Sequence, residues 1–144
     1  VSNEVAVQFS DVPLKSFEAP YISFAVERKY IAGFPDGSFK PAKLLTRAEA
    51  AQILARFAGL YLKPKIEKKP FPDIARNHWA APAIAATRDG GLFEYLSGQG
   101  FGPELYLTRA EAAEIISKTS FAKKQIEKLI SEENEAPKLP GTVE

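Results

Sequence analysis

The stretch LLTRAEAAQIL, residues 44–54, decides how the chain folds, because it returns as YLTRAEAAEII at residues 106–116. In each copy a threonine stands three positions before a glutamate, and apolar residues follow at helical spacing. This pattern is typical of a capping box, in which the threonine side chain accepts the glutamate amide and the glutamate reaches back to the threonine amide. Each copy therefore predicts the first turn of a helix.

The capping box does not explain the arginine inside the motif. Arg47 and Arg109 follow the capping threonines directly, where the end of a helix is already positive. A structural explanation is that Arg47 pairs with a carboxylate of the neighbouring unit, the candidates being Asp11, Asp73 and Glu111. A functional explanation is that the guanidinium and the free amides of the helix start bind a carboxylate or a phosphate. Both explanations are open at this point.

The similarity extends beyond the motif, because the chain matches itself when it is shifted by 62 positions, from 47 to 109. The matched pairs include Phe9 with Phe71, Asp11 with Asp73, Phe39 with Phe101 and Pro41 with Pro103. Matches in one ungapped register indicate two copies of one supersecondary unit. We therefore predict a first repeat at 1–60, a basic linker at 61–70, a second repeat at 71–122, and a helix extension with a flexible tail at 123–144.

Each repeat is predicted to be a helix, a turn-rich loop and a second helix. In the first repeat the helices are expected at about 18–30 and from Thr46 to near Gly59, and the Pro35-Asp36-Gly37 turn lies between them. The first helix of the second repeat is expected from Trp79 to Asp89. The fold class is therefore all-α. The apolar face of the first helix is predicted to comprise Phe17, Tyr21, Ile22, Ala25, Val26 and Tyr30.

Composition limits the function classes. The 144 residues carry a net charge of +1, so no overall field recruits nucleic acid or an anionic membrane surface. The chain has no cysteine and one histidine, which argues against a metal site and excludes a cysteine nucleophile. No catalytic constellation is evident, since Glu49 and Glu111 are assigned to their capping boxes. We expect no enzyme, no cofactor and no segment that inserts into a membrane.

Residues 9–57 resemble a repeat of the bacterial S-layer homology family. They run FSDVPLKSFEAPYISFAVERKYIAGFPDGSFKPAKLLTRAEAAQILARF and lack only the family's tryptophan, which Phe17 replaces. Residues 71–116 keep the opening and closing motifs, including Trp79. Their middle differs, because Tyr95, Gly98 and Gln99 stand where the first copy has Gly33, Asp36 and Gly37.

The resemblance implies a module that anchors an exported protein non-covalently to the bacterial cell wall. It implies binding of an acidic, pyruvylated wall polysaccharide, or of peptidoglycan or a polymer attached to it, and tethering of a surface-layer or outer-envelope protein. It also implies repeats packed in a pseudo-symmetric helical spindle with ligand grooves between them. The glycan-binding residues that it implies are Arg47, Arg109, Gly33, Asp36, Gly37 and Trp79.

Each of these assignments has a structural alternative. Core packing is the favoured role for Trp79, and stabilisation of its own turn is the favoured role for Asp36. Asp11 and Asp73 are expected to bind loop backbone rather than ligand. His78 is expected to cap a helix or to pack beside Trp79.

The last part of the chain leaves the repeat pattern. Residues 115–130 keep apolar residues at helical spacing, which extends the last helix or adds another one. This segment could fill the place of a third repeat or pair with a partner, and two chains could associate to complete the spindle. The alternative function is accordingly a protein-protein adaptor that oligomerises through this helix without binding glycan.

Overall fold

The computed structural model describes residues 5–135, and residues 136–144 of the predicted tail lie outside this range. Within it the chain forms five α-helices and no strand, with one short 3-10 turn at Glu94–Leu96. The prediction of an all-α fold is confirmed. The helices are α1 (Ala19–Glu27), α2 (Arg47–Phe57), α3 (Ala81–Asp89), α4 (Arg109–Ser117) and α5 (Ser120–Glu135).

The chain divides into two compact units, one ending at Leu107 and the other beginning at Thr108. The first unit contains α1, α2 and α3, and the second contains α4 and α5. This division reflects which residues contact each other. The predicted repeat boundaries rest instead on the match between the two sequence copies, and they stay predictions. The predicted segment after the second repeat is a separate helix, α5, rather than a continuation of α4.

The two Thr-Arg-Ala-Glu motifs start helices as predicted. The Thr46 hydroxyl accepts a hydrogen bond from the Glu49 amide at 3.2 Å, and Thr108 accepts one from the Glu111 amide at 3.1 Å. The Thr46 hydroxyl also donates to the Glu49 carboxylate at 3.1 Å, so the two side chains of the motif contact each other directly. The threonine thus satisfies one of the helix-start amides that lack a partner within the helix.

The core of the first unit lies where α2 packs against α3. Both helices present small side chains to this contact, and small side chains let helix axes approach closely. Thr87 is buried among them, and its hydroxyl donates to the Ala83 carbonyl at 2.7 Å, which removes the cost of a buried polar group. The fully buried residues of the two helices are Ala48, Ala51, Ala55, Ala81, Ala83, Ile84 and Thr87.

An aromatic cluster supports the loop of the second repeat. Phe101 is fully buried, with ring centroids 5.2 Å from Phe71 and 5.0 Å from Phe93. The equivalent pair in the first repeat, Phe9 and Phe39, has the same 5.2 Å separation but is only half-buried. The same aromatic contact therefore closes both repeats, and the second is the better packed.

The predicted apolar face of α1 is wrong in part. Phe17 and Tyr21 are 79% and 60% exposed, and the residues that α1 buries are Ala19 and Ser23. The reason is that the chain before the helix crosses it at Ser23, whose hydroxyl accepts the amides of Ala6 and Val7 at 3.0 Å each. A small hydroxyl residue is suited to this crossing, because it admits the backbone and satisfies its amides.

The linker at 61–70 has no regular secondary structure, and its lysines are exposed. It is not solvated throughout. Pro70 is buried, and its carbonyl accepts a hydrogen bond from the Arg88 guanidinium at 2.6 Å. The end of the linker is thereby fixed to the end of α3.

A carboxylate clasp closes each repeat and confirms the expectation that Asp11 and Asp73 bind loop backbone. Asp11 accepts the amides of Phe39 and Lys40 at 2.8 Å each. Asp73 accepts the equivalent amides of Phe101 and Gly102, also at 2.8 Å each. The start of each repeat is thus tied to the far end of its own loop.

The clasps also lower the pKa of both aspartates. The hydrogen bond from the Phe39 amide, supported by Lys40, lowers the pKa of Asp11. Burial acts to raise the pKa of Asp73, but the amides of Gly102 and Phe101 outweigh it and the pKa lies below its ordinary value of 3.8. Since the folded pKa is the lower one, each carboxylate stabilises the fold above its unfolded pKa and loses that effect as the pH falls through the folded value.

We predict that Asp73→Ala lowers the free energy of unfolding at pH 7 by about 1 kcal/mol or more, because two amides lose a charged acceptor. The difference from the wild-type chain should shrink as the pH falls below about 4, where the carboxylate of the unfolded chain begins to bind a proton while the clasped carboxylate still resists it. Thermal or urea denaturation at pH 7 and pH 3 measures it. Glu104→Ala removes an exposed carboxylate from the same loop and serves as the control; an equal loss in both variants would contradict the clasp.

Candidate functional site

The arginine of the first Thr-Arg-Ala-Glu motif lies at the junction of the two repeats. The Arg47 guanidinium donates from Nη1 to the Phe101 carbonyl at 2.8 Å. The Arg47 amide donates to the Leu105 carbonyl at 2.8 Å, and the Ala48 amide donates to that of Pro103 at 3.1 Å. The loop of the second repeat therefore occupies the start of α2, and these two amides are not free for an anionic ligand.

These contacts support a structural role for Arg47, although the hydrogen bond to Phe101 does not involve one of the predicted carboxylates. Its hydrogen bond goes to a backbone carbonyl, while its charge is one of the causes that hold the pKa of Asp73 down. Gly102 lies between them, and a Cβ at that position would come within 3.0 Å of Arg47 Nη1. The arginine thus helps to hold the loop that the clasp of Asp73 also holds. The prediction that Arg47 binds glycan stays a prediction.

The second motif belongs to the other compact unit. Arg109 begins α4, and its side chain is exposed. It stands at the position equivalent to Arg47, so the pair offers a matched comparison of one residue type in two surroundings. Its predicted contact with glycan also stays a prediction.

We predict that Arg47→Ala lowers the free energy of unfolding by about 1–2 kcal/mol, because the Phe101 carbonyl loses its charged donor. Arg109→Ala, which removes an exposed side chain, should change it by less than about 0.5 kcal/mol. Equilibrium urea denaturation of both variants measures the difference. Equal stability of the two variants would contradict a junction role for Arg47.

The predicted loop residues Gly33, Asp36 and Gly37 have clear structural tasks. A Cβ at Gly33 would collide with the Phe9 ring, so glycine is needed for close approach. Gly37 has φ of 85°, in the left-handed region that favours glycine. Asp36 accepts the Ser38 hydroxyl at 2.6 Å and the Ser38 amide at 3.0 Å, and these bonds lower its pKa.

Asp36 thus stabilises its own turn, as expected. The tip of this turn is exposed, and neither Asp36 nor Gly37 lines the cavities beside the loop. Gly33 lines a shallow cavity with Phe9. The structure does not bring these three residues together with Arg47 in one site, and their predicted glycan contacts stay predictions.

The expectation that Trp79 packs in the core is wrong. The tryptophan is 57% exposed, because α3 begins two residues later at Ala81 and turns its alanines toward α2 instead. The ring stacks on His78, with centroids 5.6 Å apart and planes at 28°. His78 Nδ1 accepts the Ala80 amide at 3.1 Å. Of its two predicted roles, the packing beside Trp79 is confirmed, whereas the start of α3 has no side-chain cap.

The exposed tryptophan borders a groove of about 440 Å³ between the loop of the first repeat, α2 and the start of α3. We call it the Trp79 groove. Of the six predicted site residues, Trp79 is the one that lines it. The other lining residues are Ile31, Ala32, Phe34, Phe39, Lys40, Pro41, Lys43, Leu45, Glu49, Gln52, Ile53 and Arg56.

The Trp79 groove combines apolar faces with basic side chains. Lys40 Nζ lies 4.1 Å from the centre of the Phe34 ring, a cation–π contact. Lys43 Nζ is 3.4 Å from the Glu49 carboxylate, in an ion pair whose lysine is exposed and whose glutamate is half-buried. With Arg56 the groove carries three cationic side chains and one carboxylate.

Lys40 has a strained backbone conformation. Its φ is 56°, in the left-handed region that is unfavourable for residues other than glycine. The equivalent residue of the second repeat is a glycine, Gly102, with φ of 65°. Strained backbone persists when the surroundings enforce it and is concentrated at functional sites. The aligned repeats place Lys40 opposite a glycine, but they do the same for Lys29, which aligns with Gly91 and lies outside the groove. Lys43 and Arg56 carry no such signal.

In the part of the chain that the structure describes, no cluster of three or more histidine, cysteine, aspartate or glutamate residues could hold a metal ion. None of the helices in this part is both long and apolar enough to cross a membrane.

The comparison with known protein families agrees with the repeat register. The S-layer homology domain matches the chain twice, over residues 8–51 and 70–113. The chain belongs to the S-layer homology family. Both matched segments contain the Thr-Arg-Ala-Glu motif and the clasp aspartate, which confirms the resemblance and the number of repeats found from the sequence.

Relatives with S-layer homology sequence include several large proteins. Cell surface glycoprotein 1 of Acetivibrio thermocellus is 41% identical over 62% of this chain and 4% of its own length. The cellulosome-anchoring protein of the same organism is 37% identical over 62% and 20%. An endoglucanase of Bacillus sp. strain KSM-635 is 33% identical over 78% and 12%. The chain therefore matches a small part, 4% to 20%, of these relatives.

Proposed function

We propose that this S-layer homology chain is a non-catalytic module that anchors an exported protein to the bacterial cell wall by binding an acidic wall polysaccharide. The observation that carries the proposal is the Trp79 groove, in which an exposed tryptophan borders basic side chains. The names of two relatives, a cell surface glycoprotein and a cellulosome-anchoring protein, support a location at the cell surface.

The chemistry of the groove suits a sugar with a carboxylate substituent. An aromatic face such as that of Trp79 packs against the C–H face of a sugar ring. Lys40 and Lys43 supply charge for a carboxylate, and Arg56 adds a guanidinium that can bind one with two hydrogen bonds. A pyruvylated wall polysaccharide presents both features, and a polymer linked to peptidoglycan is the second ligand class that the same groups would accept.

A non-catalytic role is supported by the matched region and by the groove. The same stretch recurs as a small part of relatives with different names, including an endoglucanase, as a portable binding module would. Within the groove Glu49 is the one carboxylate, and it contacts both Lys43 and the capping Thr46. Glycoside hydrolysis ordinarily uses two carboxylates on either side of the scissile bond.

In this proposal Arg47 acts mainly by holding the junction that places Trp79 beside the first repeat's loop. Gly33, Asp36 and Gly37 keep that loop in shape. Arg109, with its exposed side chain, would make a second contact to the polymer.

Binding to purified wall sacculi tests the proposal, with Trp79→Ala as the main variant. We predict about a tenfold loss of affinity, since an aromatic contact to a ring is worth roughly 1–1.5 kcal/mol. Phe17→Ala is the matched control, because Phe17 is the exposed aromatic at the same repeat position and lies outside the groove. Sacculi stripped of the acidic polymer should bind neither variant nor the wild-type chain.

Lys40→Gly separates binding from stability. We predict that it leaves the free energy of unfolding unchanged or raises it by up to about 1 kcal/mol, because glycine adopts positive φ without strain. Affinity for sacculi should fall, and its dependence on salt should weaken, because one cation is lost. Lys29→Gly is the control, since Lys29 also has positive φ, 60°, but lies outside the groove. Equal affinities for the two variants would contradict the role of Lys40.

The adaptor is the second candidate function, and the exposed apolar face of α5 favours it. One measurement distinguishes the adaptor function from the anchor function. An adaptor without glycan binding would not sediment with intact sacculi, and Trp79→Ala would then change nothing.

A further inference from the structure

Helix α5 carries an apolar stripe that the described residues leave largely exposed. Thr119, which caps the helix by accepting the Ala122 amide at 3.3 Å, is buried, but none of the residues from Ser120 to Glu135 is. Ile126, Leu129 and Ile130 lie within one third of the helix circumference and are 43% to 63% exposed. We call these three residues and Ala122 the α5 stripe.

The charges of α5 are divided along its length. Residues 120–128 contain three lysines and one glutamate, whereas residues 129–135 contain three glutamates and no lysine. The last turn of α5 holds no basic residue and the first turn no acidic one. Since the amino end of a helix is positive and the carboxyl end negative, this order opposes the helix dipole at both ends.

Contacts within the described chain offset little of this unfavourable interaction between the charges and the helix dipole. The described ion pair within α5 joins Lys128 to Glu132 at 3.7 Å, and both side chains are more than half exposed. Its lysine precedes its glutamate, the less favourable order for such a pair on a helix. An isolated helix gains nothing from this charge order, but a pair of antiparallel helices does.

We propose that the α5 stripe binds the α5 stripe of a second copy of this chain, with the two helices antiparallel. Antiparallel pairing places the lysine-rich half of each helix beside the glutamate-rich half of the other, and it places the dipoles in opposition. Parallel pairing would instead place Lys123 beside Lys123 of the second copy and Glu133 beside its Glu133 at the two ends of the stripe. A twofold axis between the copies makes the two halves of the interface identical.

The register follows from the stripe. When Ile126 of one copy packs against Leu129 of the other, Ala122 lies opposite Glu133 of the second copy. In that register Lys123 lies next to the same glutamate. The apolar residues then form the centre of the contact, and opposite charges flank both ends.

The mass of the full chain in solution provides the first test. Light scattering at about 100 µM should give a dimer for the wild-type chain, because self-association depends on concentration. Leu129→Asp should weaken the dimer at least about tenfold, since it brings a charge into the stripe. Ser131→Asp adds the same charge on the opposite face of α5 and should leave the dimer unchanged.

Cross-linking tests the orientation, and the absence of native cysteines makes it specific. A mixture of Ala122→Cys and Glu133→Cys chains should form the mixed disulfide. Each variant alone should not, because residues 122 of the two antiparallel copies lie about 16 Å apart along the axis, too far for a disulfide. Efficient cross-linking of Ala122→Cys with itself would overturn the antiparallel arrangement.

Two results would overturn the proposal as a whole. They are a wild-type chain that stays monomeric, whether or not it captures a different protein, and a dimer that Leu129→Asp leaves intact. Binding to wall sacculi is measured through Trp79 and is independent of these outcomes.

Discussion

The first unit depends on the contact between the start of α2 and the loop of the second repeat. The amides of Arg47 and Ala48 find their acceptors in Leu105 and Pro103, and the Arg47 side chain reaches Phe101. A helix start has amides without partners inside the helix, and here a neighbouring repeat supplies the acceptors. The same contact places α3 against α2 and Trp79 beside the loop of the first repeat. The core and the candidate binding groove therefore share one support.

Much of the fold could be predicted because its signals are local. The threonine and glutamate of each motif start α2 and α4, Pro20 lies in the first turn of α1, and Gly90 and Gly91 end α3. These features depend on residues within one turn of each other. The repeat register then carried each assignment from one copy to the other, including the clasps of Asp11 and Asp73.

The candidate site was harder to predict, because it depends on which repeat surfaces meet. Phe17 and Trp79 occupy the same repeat position, but only Trp79 borders the groove, since it faces the first repeat's loop. The packing of α1 was difficult to predict for the same reason. The buried side of α1 contacts the backbone at Ala6 and Val7 through Ser23, and a periodic pattern of apolar residues does not reveal such a contact. Lys43 and Arg56 carry no distinguishing signal in one sequence, and their common location appears only in three dimensions.

The contact at Arg47 also has a consequence for the order of folding. The acceptors of the α2 amides lie more than 50 positions further along the chain, since residue 47 binds residue 105. Closing so long a loop costs entropy that is recovered only after the contact forms. In a chain that is synthesised from its amino end, the amides at the start of α2 therefore lack these acceptors until the second repeat has been made. The aromatic cluster of the second repeat joins residues that lie within about thirty positions of each other, so its contacts close a shorter loop and cost less entropy than the contact at Arg47.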